Sequence, residues 1–76
     1  MTAFTSTTQF GAALRAARRA RGLRLEDVAL GAGVGIRFVS ELERGKPTAR
    51  LGEALQVAAA LGVQLSIADP LDRPDA

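Results

Sequence analysis

The sequence predicts a mainly α-helical domain: four helices with a helix-turn-helix at their centre, closed by one C-terminal β-strand. Three observations carry that prediction. Apolar residues recur at helical spacing through most of the chain, glycines stop each helical run, and the last apolar run alternates with period two. At 76 residues the chain makes one domain near the lower limit for an independent core, so dimerisation is a natural way to complete it.

The first helix opens at Ser6. Ser6-Thr7-Thr8-Gln9 fits a capping box, with Ser6 as N-cap and Gln9 reaching back from the N3 position. The helix runs to Arg21, and Gly22 supplies a left-handed stop. Phe10, Ala13, Leu14, Ala17 and Arg21 fall on one side, Arg15 and Arg19 lie opposite, and Arg18 sits at the border.

A second helix is predicted over 25–31, where Leu25, Val28 and Ala29 form an apolar stripe. Glu26 and Asp27 suit the positive end of its dipole, but its N-cap position holds Arg24, a poor capping residue. Gly31, Gly33 and Gly35 then serve a tight interhelical turn. They lack the preceding strand and the Gly-Lys-Ser/Thr ending of a nucleotide loop.

The third helix is predicted over 36–44, with Gly35 as a permissive cap and Gly45 as its stop. Val39, Leu42 and Glu43 point inward, with Phe38 and Ile36 at opposite borders of that face. Arg37, Ser40, Glu41 and Arg44 point outward. A fourth helix is predicted from Ala49 to Leu61, its buried stripe made of Leu51, Ala54, Leu55, Ala58 and Leu61.

Beyond Gly62, the segment Val63–Ala68 alternates apolar and polar residues, so Val63, Leu65 and Ile67 share one face of a half-buried strand. A lone strand needs a partner: either the stretch Thr2–Thr5 or the same strand of a second subunit. The expected organisation is a helical core over 6–62, a dimerisation strand over 63–68 and a flexible polar tail over 69–76.

Composition narrows the function. There is no cysteine and no histidine, which removes disulfides, thiolate metal sites and the usual nucleophile–base pairs of hydrolases. No acid, base, nucleophile and ligand constellation can be assembled, so neither an enzyme nor a cofactor or metal site is expected. No apolar stretch approaches the roughly 20 residues of a membrane helix, and the N-terminus lacks the order of a signal peptide. A small cytosolic protein is expected.

Charge is unevenly distributed. Residues 1–50 carry nine basic and four acidic side chains, whereas residues 51–76 carry Arg73 against Glu53, Asp69, Asp72 and Asp75. A basic first part suits a polyanion, and an acidic tail suits something else. Two short helices joined by a glycine-containing turn form the helix-turn-helix unit, whose second helix can lie in a DNA major groove.

A family likeness now becomes legible. Leu14-Arg15-x-x-Arg18, Gly22-Leu23, Val28-Ala29, Gly33-Val34, Val39-Ser40-x-Leu42-Glu43-Arg44-Gly45-Lys46 and Leu55-x-x-Ala58-x-x-Leu61-Gly62-Val63 resemble the lambda-repressor-like, or XRE-type, helix-turn-helix family across about residues 8–63. Arg37 to Arg50, together with the strand after Gly62, is similar to the HipB-type antitoxins. That resemblance implies a homodimeric DNA-binding antitoxin of a type II toxin–antitoxin system, which represses its own operon. Its implied partner is a HipA-type serine/threonine kinase toxin, and its implied location is the bacterial cytoplasm, at the nucleoid.

Residue roles follow from that resemblance and from side-chain chemistry. Arg37, in the first turn of the third helix, is expected to read a base edge, or failing that a phosphate, with Ser40 and Glu41 beside it. Arg24, Arg44, Lys46 and Arg50 are expected at phosphates. Family register pairs Arg18 with Glu43 between the first and third helices as a structural bridge.

The chain departs from the family pattern at three places. Arg24 and Leu25 replace a capping Ser/Thr and a Gln, Ile36 replaces a polar reader, and the strand stands where a fifth helix is usual. Two alternatives stay open: a stand-alone repressor without a toxin, and, because of Leu25 and Ile36, a protein-interaction module that no longer binds DNA.

Overall fold

The computed structural model describes residues 4–66, 69 and 71 of the chain, and these form four helices: α1 (Thr7–Ala20), α2 (Leu25–Ala32), α3 (Ile36–Glu43) and α4 (Leu51–Ala60). Each helix places one apolar stripe in a common core of Leu14, Val28, Ala29, Val39, Leu42, Ala54, Val57, Ala58 and Leu61. Leu14, Val39 and Val57 are its largest fully enclosed side chains, each contributing about 1.5–3 kcal/mol through burial. Phe10, Leu23, Leu25, Val34 and Phe38 pack around its rim.

Local chemistry sets the helix ends. Ser6 Oγ accepts the Gln9 N–H at 3.1 Å, as an N-cap does. Gln9 reaches one residue further back than a capping box requires, since its Oε1 accepts the Thr5 N–H at 2.6 Å. At α2 the cap runs one way only: Asp27 accepts the Arg24 N–H at 2.8 Å, and a guanidinium has nothing to offer in return.

All four helices close on the same double hydrogen bond. Gly22, Gly33, Gly45 and Gly62 lie at positive φ, and the residue after each donates back to the helix (to Arg18, Ala29, Glu41 and Ala58). Of the three glycines in the α2–α3 turn, therefore, only Gly33 needs the left-handed conformation. Gly31 lies inside α2 and Gly35 is the extended N-cap of α3.

Two glycines also set how α1 crosses α3. Gly11 is buried where a Cβ would overlap the Leu42 carbonyl oxygen and come 2.7 Å from that of Glu43. At Gly45, a Cβ would lie 2.6 Å from Thr8 Cα, and Thr7 Oγ1 donates to the Gly45 carbonyl at 2.7 Å. The first turn of α1 is thus latched to the last turn of α3.

The fourth helix differs from its predicted form in two respects. It starts at Leu51 instead of Ala49, because Lys46–Ala49 is occupied by a turn and Arg50 is an extended N-cap. Its buried register is Ala54, Val57, Ala58 and Leu61, while Leu51 and Leu55 are 70% and 45% exposed. At 100° per residue those two leucines lie roughly 70° and 110° to one side of the buried line. They share a flank of the helix.

Val63 packs against the core edge and Leu65 is exposed, but residues 63–66 make no ladder with another described segment. A strand needs a second strand to pair with, and no described part of the same chain supplies one. Ile67 and Ala68 of the expected strand, and Asp72, Arg73 and Asp75 of the expected tail, lie outside the described residues. Among the described residues no helix is long and apolar enough to cross a membrane.

Candidate nucleic-acid interface

The site is built on α3, and α3 is held from behind. Arg18 Nε and Nη2 donate to the two Glu43 carboxylate oxygens at 2.7 and 3.0 Å, while Nη1 donates to the Leu23 carbonyl at 2.9 Å. Both side chains are nearly enclosed, at 12% and 6% exposure. Hydrogen bonding to Glu43 raises the Arg18 pKa, against the opposing effect of burial. This fork joins α1, the α1–α2 loop and α3, and so fixes how the outer face of α3 is presented.

On that outer face, the Arg37 side chain is 91% exposed and its Nε lies 3.0 Å from Glu41 Oε1, one turn along the helix. Lys46 Nζ lies 2.7 Å from Glu41 Oε2. The two cations therefore flank one carboxylate, whose pKa is lowered chiefly by the Lys46 contact, with a smaller contribution from Arg37. The helix ending explains the second contact. With Gly45 left-handed, the Lys46 N–H bonds the Glu41 carbonyl at 3.1 Å, which folds Lys46 back over α3.

Ser40 and Arg44 lie further along the helix, with Arg44 Nε 3.4 Å from the Ser40 carbonyl. Both line a cleft of about 210 Å³ between α1, α2 and α3, together with Arg15, Arg18, Leu25 and Glu43. A second, shallower hollow is lined by Arg37, Glu41, Arg44, Lys46 and Pro47. Arg24 and Arg50 sit at the N-caps of α2 and α4, each exposed and beside a carboxylate: Glu26 at 3.7 Å and Glu53 at 3.0 Å.

The expected site residues therefore divide into three sets. Arg37, Glu41 and Lys46 come together along one side of α3, and Ser40 and Arg44 at a neighbouring cleft. Arg24 and Arg50 line neither hollow and pair with carboxylates of their own helices. Leu25, where a polar residue was expected from the family, is half-buried and packs on the core edge; Ile36 is exposed. Arg15 drew no role from the sequence, yet it lines the cleft with Ser40 and Arg44. Its placement one turn before Arg18 on α1 was the available signal. Among the described residues no cluster of acidic side chains could hold a metal ion.

Comparison with known proteins bears on both fold and family. The helix-turn-helix family model matches residues 14–67. The chain is 46% identical over 63 residues to an uncharacterized HTH-type transcriptional regulator, y4mF, of Sinorhizobium fredii, a match covering 83% of each chain. The restriction-modification controller protein C.AhdI of Aeromonas hydrophila superposes with a TM-score of 0.69 at 34% identity, over 76% of this chain and 88% of that one. HipB in its complex with an O4 20mer superposes with a TM-score of 0.84 at 18% identity, over 92% and 99% of the two chains. HipB in a HipA-HipB-O2-O3 complex gives 0.85 at the same identity and coverage. The likeness to HipB is one of fold.

Proposed function

The chain belongs to the XRE-type helix-turn-helix family of transcriptional regulators, and from that membership we propose that it is a homodimeric, sequence-specific repressor. In this reading it represses its own operon and serves as the antitoxin of a type II pair whose toxin is a HipA-type kinase. The observation that carries the DNA half is the presentation of α3, with Arg37 91% exposed on a helix whose opposite face is locked by Arg18 and Glu43. In a major groove, Arg37 donates bidentately to a guanine edge, a contact that discriminates by about 1–3 kcal/mol. Ile36, exposed one residue earlier, suits a thymine methyl group instead of a hydrogen bond. Lys46, Arg44, Arg24 and Arg50 hold phosphates and set the register.

A salt-titrated gel shift with the DNA upstream of the chain's own gene tests this. Arg37→Ala lowers the ratio of specific to non-specific affinity about tenfold, whereas Lys46→Ala weakens both alike. An unchanged ratio in Arg37→Ala removes Arg37 as the reader.

The antitoxin half rests on the HipB-like fold and on the acidic balance of residues 51–76, which suits a protein partner better than DNA. The toxin binds this C-terminal region and leaves α3 free, so adding a HipA-type kinase, if one is encoded beside this gene, retains the DNA complex and slows its migration. Release of DNA at stoichiometric toxin refutes that arrangement. A second reading, a regulator with no toxin, is favoured by the higher identity to the controller protein C.AhdI. Absence of a kinase gene in the operon selects it.

A further inference from the structure

Five of the basic side chains in the described residues are already in ion pairs with carboxylates of the same chain. Arg18 is paired with Glu43, Arg24 with Glu26, Arg37 and Lys46 with Glu41, and Arg50 with Glu53. Among the described residues, Arg15, Arg19, Arg21 and Arg44 have no such partner. Arg21 instead donates to the Ala17 carbonyl at 2.8 Å, at the end of α1. Arg15 and Arg44 both line the cleft between α1 and α3, with the partly exposed Ser40 between them. Arg19, one turn beyond Arg15, borders the adjoining hollow on the outer face of α1.

We propose that the Arg15–Ser40–Arg44 cleft is a binding site for one phosphodiester group of the DNA backbone, with Arg15 as a contact residue. The proposal rests on the DNA-binding reading above and deepens it.

Charge is the first argument. The cleft is lined by Arg15, Arg18 and Arg44 against Glu43 alone, and Glu43 is fully engaged by Arg18. An anion entering there meets two arginines that give up no carboxylate, only the long 3.4 Å bond from Arg44 to the Ser40 carbonyl, whereas at Lys46 or Arg50 it must compete with a carboxylate already in contact. A phosphate is therefore neutralised at the cleft without breaking an internal ion pair, and its counterion is released. Position is the second argument. The cleft opens beside Ser40 and Arg44 on the outer face of α3 and beside Leu25 in the first turn of α2. Leu25 offers no hydrogen bond, and Arg15 and Arg44 supply cationic donors beside it in the same cleft. Arg18 and Glu43 stay paired, so the net positive charge of the cleft is that of Arg15 and Arg44.

The test is the slope of log K against log salt, measured by fluorescence anisotropy between 50 and 200 mM salt. Two duplexes of equal length are used, one carrying the DNA upstream of this gene and one unrelated. Arg15→Gln and Arg44→Gln each reduce the slope by about one per bound protomer on both duplexes. Arg15→Lys keeps the wild-type slope, because a point charge suffices at a phosphate. Arg21→Gln, which removes the same charge away from the cleft, also keeps it. Circular dichroism confirms that each variant is folded, as expected for exposed positions where Gln and Arg have similar helix propensity. A wild-type slope in folded Arg15→Gln overturns the proposal while leaving DNA binding intact. Salt-independent or absent binding by the wild type overturns both.

Discussion

Two carboxylates, two residues apart on α3, do opposite work in this protein. Glu43 faces inward and is satisfied by a guanidinium fork in a nearly closed site. Removing Arg18 alone strands a buried charge, so Arg18→Met should cost about 3–5 kcal/mol in denaturant unfolding, and the double variant Arg18→Met/Glu43→Leu should recover most of it. Glu41 faces outward between Arg37 and Lys46. It pre-positions both cations and also places a negative charge where phosphates must come. Glu41→Gln should therefore tighten binding to unrelated DNA several-fold and narrow the advantage of the chain's own promoter. The lowered pKa of Glu41 fixes the sign of a second effect. Its contribution to stability is fully present above the ordinary carboxylate value and is lost as pH falls through the lowered folded value. Thermal melts of wild type and Glu41→Gln should thus differ at neutral pH and converge in acid.

At the scale of helices, the stops were more legible than the faces. Gly22, Gly45 and Gly62 read as left-handed stops because each follows a periodic apolar run, and each has positive φ. The face of α4 was misread because Leu51 and Leu55 outrank Val57 in size. Periodicity alone cannot say which of two overlapping stripes the neighbouring helices leave room for. The close approach at Gly11 was not legible at all, since a glycine inside a helical run looks like a weakness until its neighbour is known. That contrast is testable. Gly11→Ala should destabilise by about 1–3 kcal/mol through overpacking against the backbone of α3. Gly52→Ala, in the first turn of α4 with nothing within 4 Å, should instead stabilise by about 0.5–1 kcal/mol. Differential scanning calorimetry resolves both, at roughly 4–8 °C per kcal/mol for a domain of this size. Base-contact geometry was legible only as a list of outward residues. That Arg37 and Lys46 share one carboxylate depends on the fold of the chain after Gly45, which no spacing rule encodes.

Across the whole molecule, a small core and an uncovered apolar flank belong to one problem. Nine buried side chains make the core of the described chain, and Leu51, Leu55 and Leu65 remain exposed beside it. The leucines of α4 lie on one flank, and the alternating segment that begins at Val63 leaves the C-terminal end of the same helix through Gly62. A second copy related by a two-fold axis would cover both at once. The α4 flanks would meet, and the expected strand 63–68 would gain a partner that the described residues of one chain do not supply. Dimerisation would also couple two recognition helices, so that a palindromic site is held with the effective concentration of a tethered pair. Sedimentation equilibrium at micromolar concentration should therefore find a dimer. Leu55→Asp and Leu65→Asp should give monomers that keep their helical circular dichroism and bind promoter DNA at least tenfold more weakly. Val57→Asp, at a fully enclosed position, should lose the fold instead, which separates an interface from a core. A wild-type monomer, or a dimer indifferent to both leucine substitutions, would place the subunit contact elsewhere or remove it.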